Sequence, residues 1–142
     1  MTFIAPIKPG TCLNDDESLL ALAEFLHQDV LPRERSLWFA MLDSERRMLP
    51  AVVPFHDLPA DPELPFVARL GYLWATVLGA VSGASTVLML ERPGAEAVRD
   101  SDRAWHAALH AAAAEVRIGV AGFFLATADG VRPLAQDDLR RR

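Results

Sequence analysis

The chain has 142 residues, 51% of them apolar and 23% charged, with a net charge of −5. That mixture suits one packed domain rather than a disordered chain, and the acidic balance argues against nucleic acid as a partner, because a phosphate backbone calls for clustered Lys and Arg. Cys12 is the only cysteine, which excludes an intramolecular disulfide and with it a stapled secreted scaffold.

Met1-Thr2-Phe3-Ile4-Ala5-Pro6 lacks the cationic start and apolar run of a signal peptide, and residues 1–13 read as an extended leader. Asn14-Asp15-Asp16-Glu17 offers an N-cap with a carboxylate three residues on. Leu19, Leu22, Leu26 and Val30 then recur at helical spacing, so the first helix is predicted to run up to Pro32. Ser36 to Leu42 and Met48 to Val53 are apolar runs joined by Asp43-Ser44-Glu45-Arg46, the pattern of a hairpin. The first of them is apolar at both alternating sets of positions, which predicts a strand covered on both faces. Pro50 has no N–H to give and places the second at an edge or a bulge.

Residues 55–65, rich in proline, form a loop that leads into a second helix starting at Asp61-Pro62 or at Pro65. Phe66, Leu70, Leu73, Val77, Leu78 and Val81 are its predicted core face, and Ser82 to Ala84 its end. Ser85 to Leu90 is uncharged and short, as in the middle of a sheet. Asp100-Ser101-Asp102 caps a third helix with Trp105, Leu109, Ala112 and Val116 on one side. Ile118 to Ala126 is a strand, Asp129-Gly130 a turn, and Val131 to Leu134 a short returning strand. Residues 136–142, with the basic run Arg140-Arg141-Arg142, read as a solvated tail. The fold class is therefore α/β: a single domain over 1–142, in the order α-β-β-α-β-α-β-β, with a mixed sheet flanked by helices.

That order, with the local pattern Leu37-Trp38-Phe39-Ala40-Met41-Leu42-Asp43 before a hairpin and a buried strand ending Leu90-Glu91-Arg92-Pro93-Gly94 before Asp102 and the Trp105 helix, resembles the JAB/MPN metallopeptidase-like domains, in particular their bacterial RadC branch. The resemblance covers about Ser36 to Leu134 and implies a JAB/MPN, cytidine-deaminase-like architecture. In the family, the strand ends in His-x-His-Pro and a Ser or Asp ligand follows. Here the two histidine positions fall on Leu90 and Arg92. Leu has no donor atom, and the guanidinium of an Arg repels a cation. Asp102 is the one ligand type kept, about one residue short of the family spacing, and Glu34 is the nearest candidate for the family's catalytic glutamate. The resemblance thus implies a metal-free, non-catalytic relative that works through a protein partner or by self-association.

Other constellations lead elsewhere. His106 and His110 are four apart on the third helix, a spacing that lets two imidazoles share a metal, with His27, His56 or Asp102 as possible third ligands. The residue after the first histidine is Ala107, where the zincin motif has Glu, so these two are weak metal candidates and no cofactor is expected. Glu91 and Arg92 end a central strand, where ligands of α/β sheets collect. With Asp102 they form a candidate cleft for an anion or a partner's carboxylate, the alternative being a salt bridge from Arg92 to Asp100 or Asp102 within the loop. A hydrolase, or a sensor of an unknown small ligand built on Glu91, Arg92, Asp102 and the two histidines, is the competing reading. Trp38, Trp74 and Trp105 read as core or interface, and the alanines around 107–114 permit close approach of the sheet or of a second subunit. The apolar window 66–90 is interrupted by Arg69 and Ser82-Gly83-Ala84-Ser85, so no membrane span is expected and the protein is placed in the cytoplasm.

Overall fold

The computed structural model describes residues 8–27 and 32–134. Along the chain run α1 (Asp16–His27), β1 (Ser36–Leu42), β2 (Met48–Phe55), α2 (Leu64–Leu78), β3 (Ser85–Glu91), α3 (Asp100–Glu115), β4 (Gly119–Thr127) and β5 (Gly130–Pro133). The strands form one mixed sheet in the order β2-β1-β3-β4-β5. β3 lies antiparallel to β1 and parallel to β4, and the two hairpins β1–β2 and β4–β5 are antiparallel.

Period-two alternation divides the core into two layers. Leu37, Phe39, Met41, Leu88, Leu90, Phe123 and Leu125 face α2 and α3. Ala40, Leu42, Val87, Met89, Phe124 and Ala126 face α1, which buries Leu19, Leu22 and Ala23 against them. Each fully buried Leu, Val or Phe contributes about 1.5–3 kcal/mol relative to exposure, so the uncharged run Ser85 to Leu90 of β3 is stable only when covered on both sides. That is why β3 takes the centre. β2, with Pro50 exposed, takes one edge.

Details depart from the sequence reading for local reasons. The cap of α1 is Asp15, one residue beyond Asn14: its Oδ1 accepts the N–H of Ser18 at 2.8 Å, and Ser18 Oγ donates back to the Asp15 carbonyl at 2.9 Å. Val30 lies outside the described residues, as does the terminal arginine run. The segment before the cap is tied to the hairpin, with Gly10 N–H donating to the Met48 carbonyl and Cys12 bridging to Arg47. β2 extends to Phe55, paired with Leu37. The core face of α2 is Val67, Leu70, Gly71, Trp74 and Leu78, whereas Val77 is 43% exposed. At 100° per residue Val77 lies about 60° from Trp74 and about 80° from the centre of the stripe formed by Val67, Leu70, Gly71, Trp74 and Leu78, so it falls at the edge of the buried face. Among the described residues no helix is long and apolar enough to cross a membrane.

Candidate functional site

The carboxyl end of β3 and the first turn of α3 meet at the place where the family resemblance locates a site. The sequence forces a turn there: Pro93 cannot continue the ladder, and Gly94 adopts φ +97°, a conformation in which a Cβ would also collide with the Arg99 guanidinium. Residues 93–99 then fold back over the end of the strand. The loop is pinned from outside by Ala128 N–H on the Gly94 carbonyl and by Glu96 N–H on Asp129 Oδ2 at 2.9 Å.

Inside this loop lies Arg92, whose side chain, like that of Asp102, is 0% exposed. Nε and Nη2 grip the two oxygens of Asp102, each at 2.8 Å. Nη1 donates to the carbonyls of Pro93 and Ala95 at 3.0 and 2.9 Å, and Nη2 donates also to that of Ala97 at 2.9 Å. All five N–H donors of the guanidinium are therefore committed. Asp102 Oδ2 additionally accepts the N–H of Arg99, capping α3. Burial of two charges is tolerated when their donors and acceptors find partners, and here all five guanidinium donors and both carboxylate oxygens have one. Arg92 pairs with Asp102, not with Asp100, whose carboxylate instead holds Arg103 at 2.9 Å.

The three residues singled out from sequence do not share one cleft. Glu91, the adjacent position on the strand, turns to the α1 side, where its Oε2 meets His27 Nδ1 at 2.7 Å. Leu90 is wholly buried in the opposite layer. Glu34 sits at the rim, 3.5 Å from His56 Nδ1, which also lies 3.0 Å from Ser36 Oγ.

His106 and His110 lie on another flank of α3, where their rings stack at 4.0 Å between centroids and 27° between planes, with Phe123 4.7 Å from His106. Burial, with His110 adding its repulsion, pushes His106 down to about 4, and burial pushes His110 down too. Both are therefore neutral near pH 7. His110 Nε2 is buried without a hydrogen-bond partner. Among the described residues no group of three or more His, Cys, Asp and Glu is placed to hold a metal, so His27, His56 and Asp102 do not join the pair. Cys12 is free and exposed.

Two features escaped the sequence reading. One is an apolar groove of about 600 Å³ between α2 and α3, floored by Gly71, Ala108 and Ala112 and flanked by Tyr72 and Leu64. Its signal was present in the small residues of both helices together with Leu64, Ala68 and Tyr72 at intervals of four; the sequence could not say that these helices lie side by side. The other is Arg35, one residue before β1. Its parity with Leu37 and Phe39 aims it at the α3 layer, where Nη2 lies 3.5 Å from Ser101 Oγ.

No protein-family model matches the chain, and no curated protein matches it.

Proposed function

We propose that this chain is a metal-free, non-catalytic interaction domain built on a JAB/MPN-like plan. The observation that carries this reading is the Arg92–Asp102 pair. Where the resemblance puts two zinc-binding histidines and an acidic ligand, the chain has a side chain without donors, a guanidinium, and a carboxylate. The guanidinium supplies, from within the chain, the positive charge that Asp102 would otherwise find in a metal. With both carboxylate oxygens and all five donors occupied, nothing in this constellation is left to activate water. The element order and the strand, turn and helix that carry these residues support the same reading.

The surface that serves interaction is the α2–α3 face, and its occupant is a second copy of the chain. Leu64 and Tyr72 protrude from it at 78% and 75% exposure beside a hollow of Gly71, Ala108, Ala111 and Ala112. A two-fold interface needs knobs and holes on one and the same patch, and this patch has both. Two measurements test the proposal. Purified protein carries zinc far below one per chain; a stoichiometric zinc whose removal abolishes a hydrolase activity overturns the reading. Sedimentation equilibrium shows concentration-dependent dimerisation that Tyr72→Asp abolishes; a chain that stays monomeric at all concentrations removes self-association.

A further inference from the structure

A second copy fits over the α2–α3 face about a two-fold axis in two ways, and the two differ in what meets what. The helices run side by side in the same direction: the Phe66 ring lies 6.0 Å from that of Trp105, and a Cβ on Gly71 would stand 3.7 Å from the Ala112 carbonyl oxygen. With the axis across the helices, α2 lies on α2 and α3 on α3. With the axis along the groove, α2 of each copy lies on α3 of the other.

The two banks of the groove are unlike in shape and in charge. The α2 bank carries the protruding Leu64 and Tyr72, and next to them Arg69, about 60° past Tyr72 on the side turned away from Gly71. The α3 bank is low, made of Ala108 and Ala111, and ends in Glu115, the one charged side chain among the described residues that line the groove. Arg69 and Glu115 are both exposed, and among the described residues neither forms an ion pair.

Stacking like on like sets protruding side chains against each other and turns Arg69 toward Arg69 and Glu115 toward Glu115. The crossed arrangement sets Leu64 and Tyr72 over alanines, and each Arg69 toward the Glu115 of the other copy, twice by symmetry. With Gly71 level with Ala112, Arg69 is level with His110, about 8 Å along the axis from Glu115, a gap that the two long side chains span together. Charge placement of this kind selects register and orientation more than it adds affinity.

We propose that the dimer is crossed, with α2 of each copy seated on α3 of the other and its orientation set by two Arg69–Glu115 pairs between the copies. This rests on the reading of the α2–α3 face as a surface for self-association, and adds to it the residues that choose how the copies meet.

The test is sedimentation equilibrium of the full chain as native protein, Arg69→Glu, Glu115→Arg and the double reversal, at low and at high sodium chloride. Each single reversal turns two attractions into two repulsions and is expected to weaken the dimer about tenfold at low salt. The double reversal restores it to within about threefold of native. At about 1 M salt, where screening acts over about 3 Å, the four proteins converge. Arg69→Gln and Glu115→Gln remove a charge without adding its opposite and give a smaller loss, about threefold. A native chain that dimerises while the single reversals dimerise as tightly, or while the double reversal stays as weak as the singles, overturns the crossed arrangement and leaves the face as an interface. A native chain that is monomeric at every concentration removes the interface, and the arrangement with it.

Discussion

Two regions of α3 bury polar groups under opposite terms. At its first turn Asp102 and Arg92 are sealed from water, and each donor and oxygen has a partner. One to two turns later His106 and His110 are half-buried against Phe123, and His110 Nε2 has no partner. The first region holds full charges at no unmet hydrogen bond and uses them to shape the loop 93–99. The second avoids charge altogether, its imidazoles held neutral by burial. Satisfaction of donors, more than depth, decides whether a group stays ionised inside this protein.

Breaking the first region gives the largest effect. Asp102→Leu leaves the Arg92 guanidinium buried and uncompensated, and is expected to cost about 3–5 kcal/mol in denaturant unfolding. Adding Arg92→Met to it should recover most of that loss, since a well-packed apolar pair often matches a buried ion pair. A double variant as unstable as Asp102→Leu alone would mean that the loop carbonyls of Pro93, Ala95 and Ala97, not the carboxylate, are the partners that matter.

The second region is sharpened by acid. Because the fold holds His106 near 4 against 6.5 in the unfolded chain, stability is unaffected above about pH 6.5. It falls as the pH drops from there toward 4, where the unfolded chain binds protons that the fold refuses, and levels off below. With solvent screening at a half-exposed site the expected loss is about 1–2 kcal/mol across that window. His106→Leu should flatten the pH dependence of the unfolding midpoint between 6.5 and 4; an unchanged slope would place the acid sensitivity elsewhere.

Between these extremes lies the Glu91–His27 pair, which ties α1 to the end of β3 across the other layer. Glu91→Ala strands a buried imidazole nitrogen and should cost about 1–2 kcal/mol at neutral pH. The smallest effect is expected at the α2–α3 face. Tyr72→Asp is exposed in the monomer and should leave its stability within about 0.5 kcal/mol while removing the dimer.

The alternation of β1, the uncharged run of β3, Pro50 in β2 and the caps ahead of α1 and α3 made the element order, the α/β class and the covered centre of the sheet readable in the linear chain. These are local properties: period, proline chemistry and turn residues act within a few positions. Partner choice is not local. Arg92 had two carboxylates in reach along the chain, and only the path of residues 93–99 selected Asp102. Glu91 and Arg92 are adjacent yet face opposite layers, which strand parity implies but which residues wait there it does not say. The i, i+4 spacing of His106 and His110 put them on one face; it took the packing of β4 to show that Phe123 lies against both rings. The sequence by itself determined which segments become strands and helices, because that is settled by near neighbours. Only the tertiary structure decided which polar groups are matched and which are left open at Arg35, because hydrogen bonds are counted across elements far apart in the chain.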